Sequence, residues 1–163
     1  MRFKAALQQA EKDNLRLVNV KGDGACMFRA ISVSNAGTED DHFALRVAVV
    51  DYIRSYPDYF VDIASEDPDE NLTYERYLDK ISMPHQQVGE LVLRAIPNII
   101  RRPIKVYCNE SAPLVYYPKY VNYDDRDDTD SISILYYCTS LSNSGHYMAL
   151  VAKHDCNDCN AQI

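Results

Sequence analysis

The sequence predicts a mixed α/β (α+β) domain in which helices pack on a small β-sheet. Three observations carry this. Helix-spaced apolar residues fill the first two thirds of the chain, strand-like runs rich in Ile, Val and Tyr fill the last third, and no repeat or Gly/Ser- or Pro-rich linker divides the 163 residues. A chain of that length buries one sizeable core, and one domain over 1–163 is expected, with its core over about 15–152 and a fraying polar tail over 153–163.

Taken in order, residues 3–13 suit a short amphipathic helix. Arg16-Leu-Val-Asn-Val20 is a brief apolar stretch, and the two glycines of Lys21-Gly-Asp-Gly-Ala25 break it. From Cys26 to about Ala36, Met27, Ala30 and Ile31 recur at helical spacing. Asp40 or Asp41 is placed to cap a further helix, which runs to a stop before Pro57. A helix is also expected over Thr73–Ser82 with Thr73 near its cap. Another runs from about Val88 to Arg101, kinked or interrupted at Pro97. Strands are expected at 104–108, 114–117 and 131–138, and a mostly apolar, interior one at 146–152.

Composition excludes several classes. The net charge of −7 and pI near 5.0 lack the basic footprint of a nucleic-acid binder. The acidic run Asp124–Asp130 reads as a solvated loop. No stretch approaches the roughly 18 apolar residues of a membrane span. The first thirteen residues lack the apolar core of a signal peptide, so a cytoplasmic location and no membrane are expected. Five cysteines in a chain with no export signal argue against a disulfide framework. His154-Asp-Cys156-Asn-Asp-Cys159 has metal-like spacing, but no second Cys-x-x-Cys completes a zinc set, so neither metal nor cofactor is expected.

Gly22-Asp-Gly-Ala-Cys-Met-Phe-Arg-Ala-Ile31 is the most informative segment. A glycine-rich turn delivers Cys26 to the first turn of a helix, where unpaired N–H groups and the positive end of the dipole favour a thiolate. The same N–H groups can stabilise an oxyanion, and Gly22 and Gly24 let the backbone fold closely around it. A buried structural cysteine fits this local evidence equally well. Among four histidines, His146 alone follows a turn-like stretch and opens an apolar strand, a rigid yet reachable place for a base.

Together the segments resemble the ovarian-tumour (OTU) family of deubiquitinating cysteine proteases. Its hallmark Gly-Asp-Gly-x-Cys-[Leu/Met]-Phe-Arg-Ala-[Ile/Val] is matched at Gly22–Ile31. Its Gly-Glu-Leu helix and Arg-Pro-Ile strand are matched at Gly89–Leu91 and Arg102–Ile104, and its His-Tyr pair at His146-Tyr147. The resemblance implies an OTU-type variant of the papain-like fold, a small mixed sheet packed between helices. It implies attack by Cys26 on the carbonyl of ubiquitin's C-terminal glycine, with His146 as base and then acid, and Asp23 as the third residue or as the one that shapes the oxyanion loop. Donors to the oxyanion are expected from Cys26 and from one or more of Asp23, Gly24 and Ala25. The implied partner is ubiquitin, a polyubiquitin chain or a ubiquitin-like modifier, met by a monomer, with the substrate surface over roughly residues 38–90.

Two positions depart from the family pattern. Met148 stands where many relatives carry an Asn or Asp that orients the imidazole. Asp23 then serves instead, Asn143 reaches the ring, or the ring is held more loosely. Met83-Pro-His-Gln-Gln-Val88 lacks a tryptophan frequent in relatives, and His85 within it is an alternative base or a surface residue. The rival readings are a catalytically weak ubiquitin-binding pseudoenzyme, a papain-like protease acting on a non-ubiquitin protein, and a non-enzymatic scaffold.

Overall fold

The computed structural model describes residues 2–64, 73–109, 111–138 and 145–153. Its elements run α1 (Arg2–Lys12), β1 (Leu15–Val18), α2 (Cys26–Ala36), α3 (His42–Ser55), α4 (Pro57–Ala64), α5 (Tyr74–Ser82), α6 (Glu90–Ile100), β2 (Ile104–Tyr107), β3 (Leu114–Tyr116), β4 (Ile132–Cys138) and β5 (Gly145–Ala152). The strands form one mixed sheet in the order β1-β5-β4-β2-β3, with only β2 and β4 parallel. β5 is therefore interior, as its apolar run requires.

The pleat sends alternate side chains to opposite faces, and each face has its own helical cover. On one face Tyr107, Leu135, Met148 and Leu150 pack with Ala6 and Ala10 of α1. On the other, Ile104, Val106, Ile134 and Ala149 join a larger core built from α2, α3, α5 and α6. The α/β layering expected from the sequence is thus present, with the small sheet held between helices.

Local chemistry explains the boundaries. The Thr73 hydroxyl accepts the Arg76 N–H at 3.2 Å and caps α5. Asp41 sits at the N-cap of α3 but makes no side-chain cap bond. Helix α4 was not anticipated: Pro57 ends α3 yet begins α4, because its missing N–H costs nothing at the first position of a helix. Pro97 lies inside α6 without ending it, one turn from the C-terminus, where few bonds remain to be lost. There the Asn98 amide donates to the Arg94 and Ala95 carbonyls, both at 3.2 Å. In the acidic run, Asp128 pairs with Lys105 at 3.1 Å and Asp130 with Arg102 at 3.3 Å, while the rest faces solvent. Cys156 and Cys159 lie outside the described residues.

Candidate active site

The site forms where β1 stops short of β5. Val18 is paired with Ala149, and the antiparallel ladder ends there. From Met148 back to Gly145, that edge of β5 has no strand beside it, and the start of α2 fills the space. The backbone N–H groups of Tyr147, Met27 and Cys26 itself act on the Cys26 sulfur in the direction that favours a thiolate. Cys26 and His146 lie 120 positions apart in the chain. The ladder edge brings the neighbour of the histidine onto the cysteine.

Burial dominates the thiol. Cys26 is buried, and desolvation pushes its pKa up despite the three N–H groups that favour the thiolate. The sequence reading expected the helix N-terminus to lower it. That pull exists, but it is outweighed by loss of water and by repulsion from Asp23. His146 moves the opposite way: partial burial lowers its pKa, and the field of Asp23 only partly offsets this. Both shifts favour the neutral forms, the thiol of Cys26 and the imidazole of His146.

His146 is oriented by a residue that sequence reasoning missed. Its Nε2 lies 3.2 Å from Oδ1 of Asn19. With that oxygen accepting, the ring carries its proton on Nε2, and Nδ1 is left as the free base. The register of β1 on β5 gives the reason. Extended by one residue past the Val18–Ala149 pair, it sets Asn19 opposite Met148 and diagonal to His146, on the same face of the sheet. Met148 itself is buried against α1 and its neighbours. The amide thus comes from the neighbouring strand's exit. The only signal for it in the sequence is a polar residue inside the apolar run Arg16–Val20. Asn143 lies outside the described residues.

Asp23 is committed elsewhere. Its carboxylate accepts Arg29 Nε at 3.1 Å and Nη2 at 2.9 Å, a two-pronged ion pair, and accepts the Ala25 N–H at 3.0 Å. The Arg29 bonds, foremost, hold its carboxyl below the usual carboxylate range. It reaches the imidazole through its field alone. Arg29 is part of the hallmark segment, yet nothing in the pattern shows that it faces back to Asp23.

The loop backbone is equally determined. The Asp23 N–H donates to Lys21 O at 3.0 Å, and the Cys26 N–H to Asp23 O at 3.1 Å. Of the four N–H groups expected near an oxyanion, only that of Gly24 makes no hydrogen bond among the described residues. The glycines serve close approach by neighbours. A Cβ on Gly24 would lie 1.5 Å from the His85 carbonyl oxygen, whereas one on Gly22 would lie 3.8 Å from the His146 ring. His85 therefore acts through its backbone, with its side chain exposed.

Beside the thiol a cavity of about 320 Å³ is lined by Gly24, Cys26, Val88, Glu90, Tyr136 and Tyr147, among others. The tyrosines face one another with ring centroids 4.7 Å apart. Among the described residues no cluster of His, Cys, Asp and Glu could hold a metal, and no helix is long and apolar enough to cross a membrane.

A cysteine at a helix N-terminus, and a histidine held by an amide next in the chain to the tyrosine that lines the same cavity, are side chains of the kinds a thiol peptidase uses. The OTU-like cysteine protease family model matches residues 21–147, and the chain belongs to that family. It is 29% identical over 112 residues to OTU domain-containing protein 5-A of Danio rerio, covering 69% of this chain and 19% of that protein. It is 30% identical over 131 residues to the UDP-N-acetylglucosamine transferase subunit ALG13 of Homo sapiens, covering 80% of this chain and 10% of that one. The chain therefore spans a fifth or less of either relative. Among solved structures, the OTU domain of OTUD1 superposes with a TM-score of 0.70 at 19% identity, over 90% of this chain and 92% of that one. An ovarian tumor domain in complex with ubiquitin gives 0.59 at 21% identity, over 83% and 69%.

Proposed function

We propose that this domain is a deubiquitinase, hydrolysing isopeptide bonds at the C-terminal glycine of ubiquitin or a ubiquitin-like modifier. The observation that carries the reading is the convergence of Cys26, the Tyr147 N–H, His146 and Asn19 at one edge of β5, beside a cleft. Similarity to an OTU domain whose structure contains ubiquitin supports the choice of modifier.

In the proposed reaction, Nδ1 of His146 takes the thiol proton as Cys26 Sγ bonds to the glycine carbonyl carbon. The carbonyl oxygen becomes an oxyanion, for which the free Gly24 N–H is the available loop donor. Collapse of the intermediate breaks the C–N bond, and the lysine amine departs with the proton from His146. Water, deprotonated by His146, then attacks the thioester, releasing a glycine carboxylate and restoring the thiol. Asn19 keeps the ring in the required tautomer throughout, and Asp23 holds the loop. No cofactor takes part.

Incubation with isopeptide-linked diubiquitin tests this. The parent is expected to release monoubiquitin, and Cys26→Ala and His146→Ala are expected to leave the dimer intact. A folded parent that cleaves no ubiquitin dimer of any linkage would count against the reading.

A further inference from the structure

Among the described residues, the largest fully buried side chain is charged. Arg46, in the second turn of α3, is 1% exposed, and such residues are almost never fully buried without a partner. Its partners are carbonyls. Nη1 donates to Ile81 O at 2.7 Å, and Nη2 donates both to Gly24 O at 3.2 Å and to Gln86 O at 2.9 Å. The guanidinium lies over the Phe28 ring, 4.5 Å from its centroid, and Nε is buried with no partner. A leucine here would avoid the desolvation of a charge. Keeping the guanidinium therefore needs a reason beyond packing.

The carbonyls identify that reason. Gly24 belongs to the nucleophile loop, and Gln86 to the segment that crosses over it and leads to Val88 and Glu90 on the other side of the cleft. One nitrogen thus joins both walls. The Gly24–Ala25 peptide is fixed at both ends, its oxygen by Arg46 and its N–H by Asp23. The guanidinium geometry suits this, with several N–H donors in one rigid plane; an ammonium is a single point with freely turning donors.

We infer that Arg46 is a positioning residue for the proposed reaction: it holds the Gly24 loop in the geometry that receives the oxyanion and fixes the opposite wall against it. The inference rests on the acyl-transfer reading of Cys26 but not on ubiquitin as the substrate.

The test contrasts two reagents that meet the same sulfur. A short peptide aldehyde ending in glycinal bonds its carbonyl carbon to Cys26 Sγ and puts an oxygen into the oxyanion position. Iodoacetamide alkylates the sulfur by displacing iodide and makes no oxyanion. For Arg46→Lys, the aldehyde inhibition constant is expected to rise tenfold or more, while the alkylation rate at pH 8 stays within twofold of the parent. On any ubiquitin substrate the parent turns over, kcat is expected to fall tenfold or more and KM to change less than threefold. Unchanged aldehyde affinity in a folded variant overturns the inference. So does a parallel fall in both reagents, which marks general disturbance of the site. Should Arg46→Lys not fold, Phe28→Leu loosens the guanidinium from above and is read the same way. A parent inert to ubiquitin yet sensitive to the aldehyde counts against the ubiquitin reading and leaves the Arg46 contrast intact.

Discussion

Nε2 of His146 and Oδ1 of Asn19 lie 3.2 Å apart across 127 positions of sequence. The amide stands opposite Met148, the position from which many relatives orient the ring along the same strand. A diagonal cross-strand contact thus does the work of a contact along the strand.

Asn19→Ala is expected to lower kcat by about tenfold or more, part of the roughly 10²–10⁴-fold that a positioned base contributes. Melting temperature should hardly change, because Asn19 is exposed. Asn19→Asp supplies the sharper readout. A carboxylate at this position favours the imidazolium, so the acid limb of kcat/KM should move to higher pH. A profile unmoved in the aspartate variant, with kcat intact in the alanine variant, would deny Asn19 the role.

The parent's own pH profile follows from the two shifts. The reactive pair needs an unprotonated imidazole and a transferable thiol proton. Burial lowers His146 from its ordinary 6.5, so the acid limb lies below that value. Burial raises Cys26 from 9.0, so the alkaline limb lies above that one. The kcat/KM of a fluorogenic ubiquitin amide should therefore be flat across the interval between, with apparent limbs that belong to the pair. An acid limb above 6.5 would instead indicate a different base, and an alkaline limb below 9.0, where an imidazolium loses its proton, would indicate a resting thiolate–imidazolium pair.

The two loop glycines should respond unequally to alanine. At Gly24 the added methyl meets a backbone carbonyl at 1.5 Å, and the loop or the 83–88 segment must move. Activity should be lost and the melting temperature lowered. At Gly22 the nearest atom is 3.8 Å away, an ordinary contact, and the effect should be under about 1 kcal/mol in stability. Equal tolerance at both sites would contradict the crossing of these segments.

Asp23→Asn removes the paired charge from Arg29 and should cost about 1–3 kcal/mol at pH 7, measured by urea unfolding. The carboxyl is held below its ordinary 3.8, so its contribution is full above that pH and fades as the pH falls through the lowered value. The gap between parent and variant should narrow in that acid range. A gap independent of pH would assign the cost to something other than the ion pair.

Much of this was legible in the chain because it is local. Thr73 caps the helix it precedes, the glycine turn presents Cys26 at a helix start, and the alternation of 132–138 makes a strand. What was missed depends on contacts between distant segments. Asn19 becomes an orienting residue only through the β1–β5 register, which one sequence does not state. Nothing in the chain marks Arg46 as buried, because α5 and the 83–88 segment that close over it are distant in sequence. The thiol's shift was misjudged for the same reason: the helix dipole is visible in sequence, the burial that outweighs it is not. Pro57 shows the local limit, since a proline that must end one helix can open the next.

The central claim is that Cys26 is the nucleophile of a site that receives ubiquitin's C-terminus. Ubiquitin bearing a C-terminal propargyl group, mixed with the parent and with Cys26→Ala and followed by intact-mass spectrometry and peptide mapping, tests it most directly. One covalent ubiquitin is expected on the parent, mapped to Cys26, and none on the variant. A folded parent that stays unmodified, or an adduct that maps to Cys108 or Cys138, would contradict it.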